Sequence, residues 1–388
     1  MMLSCEAKGG LMKREWTLTR RTALLQALSF GMLVTSTASG LAGCSKGEPD
    51  VTDNTAEEEP PSESPSSEAV LPYPLLPLDE LKALTPDETT SAAKEAGVLK
   101  TTYMYDYAPY GGKRSALLAE DGTLPLASYT KSAAEVCPIV TASSAFYPAT
   151  AAILEAHFSQ AAYEAAEQGL EPIATYTAFS ALAEGEPLIV FASAPNDEQQ
   201  ADIDASGKDI RCEPVAREAL IFYVRDDSRA EGEYPPFTSD EIRTAFTSEE
   251  SDWQAFALEH GNGSTMCYEE FAQDSSWSLD VSNKTMLYPD MVSIIAGAAL
   301  TDRSIGFAFH QFYQHNCSSP AMVFAEVDGV YPTWDTIRSG AYPVMFDMCV
   351  LYDADGPYAE AAEELIAWLR SDEGQNLVSD LGLCPLGA

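Results

Sequence analysis

From Cys137 onward the chain alternates short apolar runs with helical patterns, and this alternation limits the possible folds more than any other feature. Cys137-Pro138-Ile139-Val140 reads as a short buried strand. It leads through Thr141-Ala142-Ser143-Ser144-Ala145-Phe146 into a helix over residues 148–158. Residues 188–192 form a second strand pattern, followed by a loop over 193–197 and a polar helix. Residues 219–224 and 305–309 are further strand patterns, and 239–246 and 268–273 are helical ones. An amphipathic helix over 358–370 ends near Ser371-Asp372-Glu373-Gly374. Strands alternating with helices predict an α/β architecture. Residues 73–136 are less regular. A helix over 78–84 and strands around 101–107 and 115–118 are expected, but the pattern does not place them in a sheet.

The N-terminal region carries a different signal. Arg20-Arg21 is followed by about twenty apolar or small residues that end in Leu41-Ala42-Gly43-Cys44. A basic segment, an apolar run and small residues before a cysteine make a lipoprotein leader. Residues 1–43 are therefore expected to be removed and Cys44 to carry the lipid. A retained transmembrane anchor is the alternative for a run of this length. Thr19-Arg20-Arg21-Thr22-Ala23-Leu24-Leu25 is similar to a twin-arginine export signal without its usual aromatic, which leaves the export route open. Met12-Lys13-Arg14 is an alternative start. Residues 44–72 are rich in Ser, Pro, Thr and acidic residues, with Glu57-Glu58-Glu59-Pro60-Pro61 near the centre. They predict a disordered tether, because they offer little apolar surface to bury.

Charge and cysteines narrow the function. The chain has a net charge of −38, and removing a leader of net +3 leaves −41. Such a charge speaks against nucleic acid and anionic membrane surfaces as partners. It says little about a small ligand in a cleft, since surface charge is screened over about 8 Å at physiological salt. Beyond Cys44 stand Cys137, Cys212, Cys267, Cys317, Cys349 and Cys384. An even number in an exported chain permits up to three disulfides, and buried free thiols are the alternative. No C-x-x-C pair occurs and the four histidines are scattered, so neither a metal nor a cofactor is expected. No G-x-S-x-G, H-E-x-x-H or intact P-loop is present, and an enzyme is not expected. Gly111-Gly112-Lys113-Arg114-Ser115 lacks the upstream glycine that a P-loop needs.

Two segments share one chemical character. Ala142-Ser143-Ser144-Ala145 lies between a strand and a helix, and Gly261-Asn262-Gly263-Ser264-Thr265 precedes another helix. Small and hydroxylated residues at a helix start leave N–H groups free for an oxyanion. Ordinary N-capping is the alternative for each.

Several longer motifs resemble those of the phosphate-type (PstS-like) substrate-binding proteins of ABC transporters. Glu213-Pro214-Val215-Ala216-Arg217-Glu218-Ala219-Leu220-Ile221-Phe222-Tyr223-Val224 is similar to their "P-x-x-R-E-A-hydrophobic-x-F-x-V" strand. Phe237-Thr238-Ser239-Asp240-Glu241-Ile242-Arg243-Thr244-Ala245-Phe246, with Asp252-Trp253, resembles a second element. Asp328-Gly329-Val330-Tyr331-Pro332-Thr333 with Ile337-Arg338-Ser339-Gly340-Ala341-Tyr342-Pro343 resembles a third. The helix and tail from Trp368 to Leu386 resemble the family's last segment. The resemblance covers residues 137–388 in order. It implies a two-lobed, type II periplasmic-binding-protein-like fold with hinge-crossing strands: lobe I over 137–216 and 343–388, lobe II over 217–342. It also implies a monomer that captures an oxyanion, phosphate in this family, for an ABC permease.

By that resemblance the ligand contacts fall on Ala142, Ser143 and Ser144 in lobe I, where Phe146 and Ser193 are further candidate ligand residues. In lobe II they fall on Asn262, Gly263, Ser264 and Thr265. Two positions depart from the family pattern. The arginine often found before the second turn is Leu258, for which Arg217 is the candidate replacement. The carboxylate that accepts a proton from phosphate is Ala194, with Asn196 and Asp197 nearby but out of register. Weaker discrimination between phosphate and sulfate is therefore expected. A surface sensor that keeps the fold with an altered cleft is the alternative reading.

Overall fold

The computed structural model describes residues 73–101, 129–159, 161–162, 165, 171–228, 234–248, 250–259, 261–272 and 285–387. The expected leader, Cys44, the tether, the strand over 115–118 and most of that over 101–107 lie outside these residues. In chain order the strands are β1 (Lys100–Thr101), β2 (Val140–Ala142), β3 (Glu171–Pro172), β4 (Ile189–Ser193), β5 (Ile210–Arg225), β6 (Pro236–Phe237) and β7 (Gln254–Leu258). They continue with β8 (Met286–Tyr288), β9 (Ser304–Phe309), β10 (Cys317–Ser318), β11 (Val323–Phe324), β12 (Glu326–Val327) and β13 (Met345–Asp353). Nine of them form one sheet in the order β3-β2-β4-β13-β5-β9-β7-β8, with β11 also paired to β5.

The 16-residue β5 organises this sheet. From Ile210 to Ala219 it pairs antiparallel with β13, and from Leu220 to Arg225 with β9. One strand thus serves two half-sheets, and its partner changes between Ala219 and Leu220. The first half holds the parallel strands β3, β2 and β4, and the second holds β9, β7 and β8. Residues 219–224 are buried without exception, the pattern of a strand covered on both faces. Gly306 on β9 is required by its cross-strand partner Tyr223: a Cβ there would stand 2.5 Å from the Tyr223 ring.

Helices cover both faces. Tyr147–His157 follows β2, and its buried positions run all round it. Asp197–Ser206 is closed by a reciprocal bond pair between Asn196 and Gln199, and Ser239–Thr247 by one between Thr238 and Glu241. The helix after β13, Ala359–Leu369, does not end the chain. Ser371 caps a second helix, Asp372–Asp380, whose Leu377 and Val378 are buried.

The N-terminal segment left unplaced by its sequence is divided between the two halves. Helix Pro86–Glu95 has the capping box Thr85/Glu88, and Thr90 approaches Ser293 of helix Met291–Ala299. Arg225, buried at the end of β5, donates to the carbonyls of Tyr73, Pro74 and Ala299 and to Asp227. That guanidinium fastens residues 73–76 to the second half. Residues 129–134 lie instead on the first half, where Lys131 donates to the carbonyls of Glu155 and Ala156. Ser132 N–H bonds His157 O at 2.7 Å there. No described helix is long and apolar enough to cross a membrane. All six described cysteines are free thiols.

Candidate functional site

Four helix N-termini meet at one cavity between the half-sheets. Ser143, Ser144 and Ala145 lead into helix Tyr147–His157, and Ile173, Ala174 and Thr175 open helix Thr175–Glu184. From the second half, Asn262, Gly263 and Ser264 open helix Gly263–Ala272, and Pro289, Asp290 and Met291 open helix Met291–Ala299. Leu258 and Phe309 complete the wall. The accessible interior is about 40 Å³. A single water needs roughly 10–15 Å³ by the same measure, so the space suits a small polyatomic group of about three waters' bulk.

The strands set these turns in place. Ser143 N–H bonds Phe191 O on β4, while Ser143 O accepts from Phe146 and Tyr147. The N–H groups of Ser144 and Ala145 have no acceptor among the described residues. Across the cavity Gly261 takes a left-handed φ of 85°, and its carbonyl accepts from Tyr176 N–H of the first half at 3.3 Å. Gly263 comes so close to the opposite wall that a Cβ would stand 3.1 Å from Thr175 Oγ1 and 3.5 Å from Ser193 Oγ. The halves are therefore in contact at this cleft.

The anticipated site residues divide into those that line the cavity and those that support it. Ser143, Ser144, Asn262, Gly263 and Ser264 line it. The hydroxyls of Ser143 and Ser264 are buried and have no hydrogen-bond partner among the described residues. Ser193 lies behind Gly263, beside the Cys267 thiol, and Phe146 stacks on the wall residue Phe309 at 5.0 Å. Thr265 is committed elsewhere, since its hydroxyl donates to Leu258 O at 3.0 Å. Arg217 is not part of the lining. It stands on the β5–β13 ladder opposite Asp347, 3.9 Å away, with its side chain 42% exposed. Asp197 is in the first turn of helix Asp197–Ser206 and is also not among the lining residues.

Asp290 is the residue that sequence reading missed, and it is the single charged residue among the described residues of the lining. Its Oδ1 accepts from Ser293 N–H at 2.9 Å and its Oδ2 from Ser293 Oγ at 2.6 Å. Each carboxylate oxygen keeps a lone pair for another donor. Its sequence signal, an N-cap before an apolar helix, is the same as that of many purely structural aspartates. The third turn, Ile173 to Thr175, follows a strand of only two residues and left no periodic trace.

With no cation among the described lining residues, attraction for an anion comes there from backbone and hydroxyl groups. A helix N-terminus contributes about 0.3–1 kcal/mol toward a negative charge and up to about 2 when partly buried. Four of them supply on the order of 4 kcal/mol. Hydrogen bonds to a charged group add roughly 1.5–3 kcal/mol each. Micromolar affinity requires about 8 kcal/mol, so these groups suffice without an arginine. Among the described residues no cluster of three metal-ligating side chains occurs.

The fold has counterparts among solved structures. One is a phosphate ABC transporter substrate-binding protein from Clostridium perfringens, so assigned and solved with bound phosphate. It is 16% identical over 64% of this chain and 99% of its own, with a TM-score of 0.51. Another is an ABC-type phosphate transport receptor from Vibrio cholerae, 14% identical over 63% of this chain and 99% of its own, with a TM-score of 0.49. No protein-family model matches the chain. No curated protein matches it either. The architecture is the two-lobed α/β fold that these substrate-binding proteins share.

Proposed function

We propose that this is a lipid-anchored extracytoplasmic solute-binding protein that captures hydrogen phosphate for an ABC importer. The observation that carries the reading is the composition of the cleft: among the described residues it has four helix N-termini, two unpartnered buried hydroxyls, one carboxylate and no cation. The carboxylate decides the form of the ligand. Two unit charges about 4 Å apart at an effective dielectric of 20 interact by about 4 kcal/mol. A fully deprotonated oxyanion beside Asp290 would lose about what the helix ends provide. An oxyanion that keeps one proton can donate it to Asp290 and turn that repulsion into a hydrogen bond. Phosphate retains a proton near neutral pH and sulfate does not.

The fold shared with a protein solved with bound phosphate supports this reading. So do Leu41-Ala42-Gly43-Cys44 and the acidic tether, which would hold the binding unit near a membrane-bound permease. Ligand exchange would occur by rotation of the lobes where β5 changes partner and β13 begins. Equilibrium dialysis of the purified protein against radiolabelled phosphate tests the proposal. Retention at micromolar phosphate is expected. No retention at millimolar phosphate would leave the sensor reading in its place.

A further inference from the structure

Cys212 and Cys349 stand together where the chain leaves the first half-sheet and where it returns. β5 carries Cys212 and passes into the second half at Leu220, and β13 brings the chain back with Cys349. Strands β6 to β12 all lie between the two cysteines in sequence. In the β5–β13 ladder Cys212 pairs with Leu351 and Cys349 with Pro214. The cysteines are thus diagonal neighbours on the same face of the sheet. Diagonal pairs of a regular ladder stand about 7–8 Å apart at Cα, slightly more than a disulfide spans. Here the register shifts between Met348 and Cys349, and both side chains pack at the same apolar cluster.

Their surroundings differ in a useful way. Cys349 is 2% exposed and packs with Val190 and Leu351, whereas Cys212 is only partly buried at the edge of that cluster. The Cys349 thiol donates to Asp347 O at 3.9 Å, and its interaction with Cys212 lowers the Cys212 thiol and raises Cys349. The pair therefore has an accessible nucleophile and a protected resolving thiol. Burial pushes the thiols of Cys137, Cys267, Cys317 and Cys384 upward instead.

We propose that Cys212 and Cys349 are a dithiol pair that closes to a disulfide on the first-half side of the crossing. The oxidant is a small or protein disulfide. The Cys212 thiolate attacks one of its sulfurs, forming a mixed disulfide and releasing one thiolate. Cys349 then gives up its proton and attacks Cys212 Sγ, forming the Cys212–Cys349 bond and releasing the second thiolate. Two protein thiols are oxidised, one disulfide is reduced, and both protons end on the released thiols. The bond ties off a loop of about 137 residues, and long loops gain most from such closure. It lies on the first-half side of the crossing, so the partner change at Ala219/Leu220 stays unstapled.

The test is oxidation of the reduced full chain with glutathione disulfide, followed by blocking of free thiols and a non-reducing digest. Mass spectrometry should find a Cys212–Cys349 linked peptide lacking two hydrogens. The melting midpoint should rise on the order of 5–10 °C and fall back on reduction. Cys212→Ser and Cys349→Ser should each abolish that rise, while Cys137→Ser should keep it. Recovery of both cysteines in blocked, unlinked form would overturn the proposal. So would a lasting glutathione adduct on Cys212, or a linkage of either cysteine to another partner.

Discussion

Gly263 and Thr175 meet across the cleft so closely that a Cβ on the glycine would lie 3.1 Å from the threonine hydroxyl. One opens a helix of the second half and the other a helix of the first, so their contact reports whether the halves are closed. Gly263→Val should hold them apart. Overpacking of this kind costs roughly 1–3 kcal/mol, about five- to a hundredfold in affinity. Calorimetry with phosphate measures the loss, and small-angle scattering should show a radius of gyration that no longer shrinks at saturation. Unchanged affinity and normal contraction would show that the contact does not limit closure.

Ser143 and Ser264 hold buried hydroxyls with no partner among the described residues, which costs folding stability. Ser143→Ala and Ser264→Ala should therefore leave the melting midpoint unchanged or raise it. The same changes should weaken phosphate binding by roughly 1.5–3 kcal/mol each, about ten- to a hundredfold. Opposite movement of stability and affinity separates a ligand contact from a structural one. A loss of stability with affinity intact would assign both hydroxyls to the scaffold.

Arg217 carries a cation near the lobe crossing, yet it faces Asp347 with both side chains more than two-fifths exposed. Surface pairs of this kind contribute about 0–1 kcal/mol. Arg217→Ala should leave phosphate affinity within about twofold of the parent, as read by calorimetry at two salt concentrations. A tenfold loss would bring this arginine into the site.

Much of this arrangement could be read from the sequence, and the failures have physical causes. Residues 188–192 and 305–309 announced β4 and β9 because buried parallel strands are short apolar runs. β5 was recognised only from Ala219, since Glu213, Pro214, Arg217 and Glu218 interrupt its first half with polar groups or a missing N–H. Helix Met291–Ala299 left no amphipathic trace because every one of its residues is buried. Asp290 was overlooked with it. The second oxyanion turn was placed before a helix at Tyr268, whereas the helix starts at Gly263 and the turn is its first turn. The expectation of weak anion discrimination rests on Ala194, and the carboxylate that lines the cleft, Asp290, stands on a different loop.

Glu218 is 2% exposed beside the crossing and accepts from Ala219 N–H at 2.8 Å and from Gln311 N–H at 3.3 Å. Burial pushes its carboxyl up to about 8, against the pull of those backbone donors. The unfolded chain loses this proton near 4.5 and the folded one near 8, so the folded state holds more protons between those values. Stability from this group is complete below the unfolded value and is lost as pH rises toward 8, by at most about 1.4 kcal/mol per pH unit. Thermal melts at pH 5, 6, 7 and 8 should show a decline that Glu218→Gln flattens. Identical pH profiles for the parent and the variant would contradict the assignment.

The most direct test of a cleft built for a protonated oxyanion is the ratio of phosphate to sulfate affinity in the parent and in Asp290→Asn. Asparagine keeps the acceptor that caps Ser293 N–H but replaces one carboxylate oxygen by a donor. Calorimetry at neutral pH should give phosphate at least about a hundredfold preference in the parent, because the hydrogen bond gained by phosphate and the repulsion met by sulfate at Asp290 together exceed roughly 3 kcal/mol. In the variant phosphate should weaken, sulfate should strengthen, and the ratio should fall toward one. A ratio that Asp290→Asn leaves unchanged, or a parent that binds both anions equally, would contradict the account.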